Sequence, residues 1–460
     1  MQHTSYNSKK NAIFYLLASL FIASFIIINL TCLKYFTMFN MPISCEVITY
    51  SIASLSIHLI LELYGVKRAN LLTLQCIIIS LLTSLFIYLA SSLPISEHSP
   101  ISDKTFKEMF GSFPIMVLIP KLAYLFSQFI EIKTFSRYHY KNIWIRNNYS
   151  ILSGQLVYNL LLALIFLLIL PITRTPNTSQ FDFFYFIKLT AIPYAIKAIL
   201  SMFINTPLLY FIIRLTRHSR NEKIEHTESQ PYINNYITLN EIIYITLLSI
   251  FLATIIITNI ITSRYFTIKS YTLTSGALTY HLTFLITDIT SEIYGKYKAR
   301  LMVWLGFIVS IFMVIILKII QIPTAHTNSA ISQEIFLQIF DTTPSIVFGS
   351  MTAYVVSQLS DIALFDSIKR LTKGKYLWLR NNLSTLISQL LDTATFGLAA
   401  WIIWPALTSK KNSTSSLIYS LVINEYIIKM LFIFLSTPIF YLAVKTIKRF
   451  IKNHSKTINI

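Results

Sequence analysis

The sequence predicts an all-α polytopic membrane protein built from two parallel six-helix repeats, about twelve transmembrane helices in all. Three observations predict it. Of the 460 residues, 54% are hydrophobic and 12% are charged, with a mean hydropathy of +0.62. Soluble chains carry roughly twice that charge fraction. Apolar runs of about 20 residues, long enough to cross a bilayer, recur along nearly the whole length. The second half also repeats the first at a constant shift, with Asn29 falling on Asn259 and Ala69 on Ala299.

The expected spans have rough limits 11–31, 42–62, 70–92, 113–133, 148–170 and 190–213, then 241–263, 273–293, 300–322, 343–366, 382–405 and 421–444. The second, "SCEVITYSIASLSIHLILELYG", is polar for a lipid-facing helix and is expected inside the bundle. With both termini placed in the cytoplasm, inner loops hold about 25 Lys and Arg and outer loops about nine, the positive-inside bias. The chain is therefore expected in the cell (inner) membrane with both termini cytoplasmic. Its net charge of +19 reads as a topology signal that favours anionic membrane lipids. A nucleic-acid surface would need a contiguous basic patch on a soluble domain, so no nucleic acid is expected as partner. Lys9 and Lys10 precede a first span too long for a signal-peptide core, so it is read as retained. Cys32, Cys45 and Cys76 have neither metal-ligand nor disulfide-framework spacing. No cofactor and no metal are expected.

The internal repeat carries the domain organisation. "YFT" at 35–37 falls on "YFT" at 265–267, and "ELYG" at 62–65 on "EIYG" at 292–295. "YLFSQFIE" at 124–131 falls on "YVVSQLSD" at 354–361. Four extra residues then enter the second copy, after which "WIRNNYS" at 144–150 meets "WLRNNLS" at 378–384. Matches at Trp, Arg, Asn and Gln in constant order do not arise from apolar low complexity. An even number of spans per copy keeps both copies in one orientation, a parallel repeat. This gives a first repeat at 1–213, a polar cytoplasmic linker at 214–240 and a second repeat at 241–460. The copies differ where chemistry is expected: Asp288 corresponds to His58 and Asp392 to Tyr158. The first repeat therefore reads as degenerate and the second as the functional half.

Ionisable groups inside spans cost about 2.5–3.5 kcal/mol each on insertion scales. The second repeat nevertheless carries Asp288, Glu292, Asp361 and Asp392, with Gln358 and Gln389 alongside. Asp288 and Glu292, four apart, share a helix face, as do the i,i+3 pairs Gln358/Asp361 and Gln389/Asp392. Asp288 and Asp361 each lie eight residues from a basic inner edge, roughly 12 Å in, and Asp392 lies roughly 18 Å in from Arg380. Similar depth on three helices points to a substrate or proton pathway. Buried Gln358, Gln389 and Ser384 also serve simply as interhelical glue, and Glu292 as an edge ion pair. Asn381 or Asn382 can cap the helix that begins near 378, with Arg380 an ordinary basic anchor. Tyr280 and Phe284, one and two turns before Asp288, supply a stacking wall or packing.

"GALTYHLTFLITDITSEIYGKYKAR" at 276–300, "SQLSDIALFDSIK" at 357–369 and "WLRNNLSTLISQLLDTATF" at 378–396 resemble the queuosine-precursor transporter family, formerly called the vitamin uptake transporter family. The resemblance covers most of residues 240–450; the first repeat matches only its sparse skeleton. Members usually have about six spans, so twelve would fuse a subunit pair into a self-sufficient pseudo-dimer. The resemblance implies uptake of a planar 7-deazaguanine base used for tRNA modification. A carboxylate can accept the adjacent N1–H and exocyclic amine of a guanine-like edge, and amides can meet its carbonyl. The shared depth of the carboxylates suggests Asp288 or Asp392 for that edge, and the other, with Asp361, for a cationic arm or a proton. Alternatives are uptake of another vitamin or nucleobase, including as a subunit docked on an ATPase, and an intramembrane aspartyl protease. The chain has no phosphate-binding G-x-x-x-x-G-K-[ST] loop of its own, and neither Asp288 nor Asp392 has an adjacent Gly. A non-enzymatic transporter is the expectation.

Overall fold

A computed structural model of the chain describes residues 2–38, 41–111, 113–138, 141–169, 183–218, 237–268, 271–327, 329–340, 344–403 and 415–454. Most of the 214–240 linker lies outside them. The first repeat runs α1 (Gln2–Thr31), β1 (Tyr35–Met38), β2 (Met41–Ser44), α2 (Glu46–Tyr64), α3 (Val66–Ser92), α4 (Asp103–Phe110), α5 (Phe113–Arg137), α6 (Ile143–Ile169), α7 (Phe183–Leu200) and α8 (Thr206–His218). The second runs α9 (Leu239–Ile261), β3 (Tyr265–Ile268), β4 (Tyr271–Thr274), α10 (Ala277–Tyr294), α11 (Lys296–Gln321), α12 (Gln333–Phe340), α13 (Pro344–Leu371), α14 (Leu377–Gly397) and α15 (Ser415–His454). The chain is a polytopic, almost wholly helical membrane protein. Seven helical segments among the described residues are long and apolar enough to cross a membrane. Five helices that stand where spans were expected, α5, α6, α10, α13 and α14, fall outside that set; in α10 and α14 the apolar faces are broken by Thr, Ser, Gln and Asp.

Two features depart from a purely helical reading. The spans expected from 42 and 273 begin later, because 41–44 and 271–274 pair antiparallel with Tyr35–Met38 and Tyr265–Ile268. Aromatic and β-branched residues dominate these short strands, which favours a pleated surface. The glycine of "ELYG" and "EIYG" explains its presence in both copies: Gly65 and Gly295 sit at φ 91° and 83°, where a side chain is disfavoured. That conformation ends α2 and α10 and restarts the chain as α3 and α11. With four residues added to the second copy, α13 has 28 residues to 25 in α5, a little under one turn more.

The chain folds as two compact units that do not follow the repeat boundaries. One holds Met1–Leu81, Ser112–Ile237 and Ile319–Gln333, and the other holds Leu82–Gly111, Thr238–Lys318 and Glu334–Ile460. Each unit thus contains a short segment of the other repeat, bound by matching contacts. In the second unit the Arg264 guanidinium, fully buried, donates to the carbonyls of Ala90 and Leu93 and to Asp103. The backbone N–H of Ser96 donates to Tyr265 O at 3.0 Å. In the first unit Lys34 Nζ donates to Ile320 O at 2.7 Å, and His326 N–H to Tyr35 O at 2.8 Å. Hydrogen bonding from Lys107, and then from Arg264, holds the Asp103 carboxyl below its ordinary range. Its stabilising contribution is present above the ordinary carboxylate pKa and is lost as pH falls through the lowered folded value. Replacing Arg264 by Leu leaves two buried carbonyls without donors. It is expected to lower stability by about 1.5–3 kcal/mol, the scale for hydrogen bonds to charged groups. An unchanged melting temperature in detergent would contradict this role.

Candidate functional site

The candidate site lies in the second unit and is organised by one face of α14. Asn381, Thr385, Ser388 and Asp392 recur at i, i+4, i+7 and i+11, a helical stripe, and all four are buried. Their hydroxyls are anchored to the helix's own carbonyls, Thr385 Oγ1 to Asn381 O at 2.8 Å and Ser388 Oγ to Thr385 O at 3.1 Å. Such back-bonding satisfies a hydroxyl where no water is present. Helix α10 does the same with Thr283, Thr287 and Thr290.

The three aspartates are each under 5% exposed and converge on this stripe. Each stripe hydroxyl shares its one proton between its own helix's carbonyl and a carboxylate, Thr385 with Asp288 Oδ2 at 3.2 Å and Ser388 with Asp361 Oδ1 at 2.9 Å. The other oxygens, Asp288 Oδ1 and Asp361 Oδ2, are buried without a donor hydrogen bond of their own among the described residues, and the two carboxyls lie close enough to hydrogen-bond each other when one of them holds a proton. One to two turns further along α14, Asp392 is fully engaged. Tyr280 OH and Ser357 Oγ donate to Oδ1 at 2.7 and 3.0 Å, and Lys429 Nζ to Oδ2 at 3.0 Å. Lys429 also lies 5.3 Å from the Tyr280 ring centroid, and Tyr280 packs edge-on against Phe284 at 5.5 Å. From Thr385 to Asp392 the stripe spans about 10 Å.

The two glutamines separate. Gln358 is clipped to α10: its Nε2 donates to Thr283 Oγ1 at 3.0 Å and its Oε1 accepts from Thr287 Oγ1 at 3.1 Å. Gln389, equally buried, finds no partner for either amide atom among the described residues. Asn382 accepts from Thr437 Oγ1 at 2.7 Å and from Asn381 Nδ2 at 3.4 Å, while Asn381 Oδ1 is left without a partner among the described residues. Neither asparagine caps α14, as the sequence allowed. The helix starts at Leu377 after Tyr376, whose φ of 53° makes the turn without a side-chain cap. Both amides therefore lie in the second turn and face inward. Ser384 donates to Asn381 O at 3.3 Å.

Glu292 lies apart, at the C-terminal end of α10. Its carboxylate accepts from Arg380 Nη2 at 2.6 Å, Lys369 Nζ at 3.0 Å and Lys448 Nζ at 2.6 Å, joining four helices. Arg380 is buried and also donates to Gly374 O at 3.2 Å. The first repeat keeps the same pair as Arg146 with Glu62.

Sequence reasoning missed Lys429 because it weighed only carboxylates inside spans. The signal was present: "YAIK" at 194–197 matches "YIIK" at 426–429. The match is hidden by one extra residue before the shared Thr-Pro, Thr206-Pro207 in one copy and Thr437-Pro438 in the other. That residue is absorbed in a π-helical turn at Ser201–Asn205, the usual form of a one-residue insertion in a helix. Ser357, Thr385 and Ser388 were not legible as partners, since hydroxyls in spans commonly bond only their own helix.

A bundle of apolar helices here buries carboxylates and an amide with hydrogen-bonding capacity unused, an arrangement that fits a multi-pass membrane transporter. Two stretches of the chain, residues 44–212 and 274–443, one in each repeat, match the family described as "Putative vitamin uptake transporter". The chain belongs to this vitamin uptake transporter family. It is also similar to a Bacillus subtilis (strain 168) protein named "Probable queuosine precursor transporter", 33% identical over 174 residues, which are 37% of this chain and 72% of that protein. That relative is thus about half as long as this chain. No solved structure matches.

Proposed function

We propose that the chain imports a planar 7-deazaguanine base, a queuosine precursor, across the cell's inner membrane through the α14 stripe of the second repeat. The single observation that carries this reading is the set of buried atoms left without partners: Asp288 Oδ1, Asp361 Oδ2 and both amide atoms of Gln389. Buried polar groups are ordinarily satisfied, and exceptions need a ligand, water or proton to complete them. A guanine-like edge supplies two adjacent N–H donors and a carbonyl, which match a carboxylate and an amide. Asp392 has both oxygens occupied, so Asp288 takes the base edge and Gln389 the carbonyl. Asp361 takes a cationic arm. Without substrate, one proton held between Asp288 and Asp361 would give the unpaired oxygens a donor. Tyr280 and Phe284 form the aromatic wall. Glu292 and Arg380, with Asn382, tie the inner ends of the helices around the site. The name of the Bacillus subtilis relative supports the cargo. The family description also favours a vitamin as second reading.

The membrane layout belongs to the same proposal: twelve spans, both termini cytoplasmic, and two repeats acting as a self-sufficient pseudo-dimer. Uptake of a radiolabelled 7-deazaguanine in cells lacking their own route tests it. Unlabelled precursor bases should compete and unrelated vitamins should not. Stronger competition by a vitamin would move the assignment to the second reading. The copies should also differ. His58→Ala or Tyr158→Phe is expected to reduce uptake of the aminomethyl-bearing base less than Asp288→Asn or Asp392→Asn. Equal loss from either copy would contradict placement of the transport site in the second repeat.

A further inference from the structure

The first repeat holds a polar cluster of its own, at the positions that build the site in the second. Lys197, the counterpart of Lys429, is buried, and its Nζ donates to Glu46 Oε1 at 3.3 Å. The ammonium lies 4.6 Å from the Tyr50 ring centroid and 5.3 Å from that of Tyr158. Gln155, the counterpart of Gln389, donates Nε2 to Tyr50 OH at 2.6 Å. Gln128 donates Nε2 to Glu131 Oε2 at 2.8 Å. The carboxylate of Glu131 orients the Gln128 amide, while the Tyr50 hydroxyl can meet either end of the Gln155 amide; as placed, Gln155 Oε1, Gln128 Oε1 and Glu131 Oε1 find no hydrogen-bond partner among the described residues. All three side chains are more than nine-tenths buried. His58 Nε2 stands 3.5 Å from Glu131 Oε1, an ion-pair partner when protonated, and the Ser54 hydroxyl and the Lys197 ammonium also face this carboxyl.

Decay does not account for the coordinated differences between the copies. Glu131 is one carbon longer than Asp361, and the facing residue is Gly154 where the second copy has Ser388. A Cβ at Gly154 would lie 2.9 Å from Glu131 Cβ and Oε2, so the glycine makes the room the longer acid needs. The acid that pairs the lysine has moved from α14 (Asp392) to the start of α2 (Glu46), and the vacated position is Tyr158. The charge balance has shifted with it. The second repeat sets Asp288, Asp361, Asp392 and Glu425 against Lys429. The first sets Glu46 and Glu131 against Lys197 and Lys121, whose Nζ lies 4.4 Å from the Phe25 ring centroid.

We infer that the first repeat is a second binding site, selective for an uncharged planar heterocycle rich in N–H donors. Three unpaired acceptors ask for donors, and the tyrosine rings offer stacking faces. The balanced charge withholds the attraction that a cationic arm finds in the second repeat, where low dielectric magnifies it. This rests on the reading of the second repeat as a heterocycle site.

Equilibrium dialysis of the purified full chain in nanodiscs tests it, with 7-cyano-7-deazaguanine as the neutral probe and 7-aminomethyl-7-deazaguanine as the cationic one. Two moles of neutral base per chain are expected, falling to one in Glu131→Gln and to one in Asp288→Asn. One mole of cationic base is expected, kept in Glu131→Gln and lost in Asp288→Asn. Gln155→Ala serves as a second variant should Glu131→Gln not fold. One mole of neutral base that survives both first-repeat variants would overturn the inference and leave the second-repeat site standing. Absence of binding by either base would overturn both.

Discussion

Asp288→Asn is expected to lower uptake by at least tenfold, and up to about a hundredfold, while the protein still inserts and purifies normally. The range follows from losing charge-assisted hydrogen bonds, each about 1.5–3 kcal/mol. Asn is nearly isosteric, and Thr385 can still donate to its carbonyl oxygen, so packing is retained. What is lost is an acceptor at Oδ1, because the amide NH2 presents donors toward a ligand edge that is itself a donor. Asp361→Asn should behave likewise. Normal uptake in Asp288→Asn, at wild-type membrane abundance, would remove Asp288 from the site.

Lys429→Met should act in a different way, through stability. Lys429 and Asp392 form a buried pair whose side chains are 7% and 6% exposed. Removing one partner of such a pair costs about 3–5 kcal/mol because the remaining charge is left uncompensated. The variant is therefore expected to express poorly or melt well below the wild type. Combining it with Asp392→Leu removes both charges and should recover part of that stability, less the cost of leaving the Tyr280 and Ser357 hydroxyls without this acceptor. Thermal melts of the single and double variants in detergent check this. A single variant as stable as wild type would show that Asp392 does not depend on Lys429.

The sequence made the polytopic helical class and the duplication legible, because hydropathy and repeated Trp, Arg, Asn and Gln are one-dimensional signals. It also made the acids legible: Asp288, Asp361 and Asp392 stand out against apolar neighbours, and they meet on α14. Other features needed three dimensions. Gln358 and Gln389 look equivalent in sequence, yet Thr283 and Thr287 satisfy one and nothing among the described residues satisfies the other. "RNN" reads as a capping signal until the helix is seen to begin at Leu377, a turn earlier. The hairpins at 35–44 and 265–274 are too short for a periodic signal. The segments each compact unit takes from the other repeat follow from chain topology, which a repeat alignment does not encode. Lys429 was readable in principle, but the inserted residue before Thr206 broke the register that would have paired it with Lys197.

The central claim is that carboxylates converging on one helix face bind a flat base. Affinity of the purified chain for 7-aminomethyl-7-deazaguanine, measured for wild type and for Asp288→Asn and Asp361→Asn, tests it most directly. Dissociation constants at least tenfold weaker in both variants are predicted. Affinities unchanged in both, or no binding by the folded wild type, would contradict it.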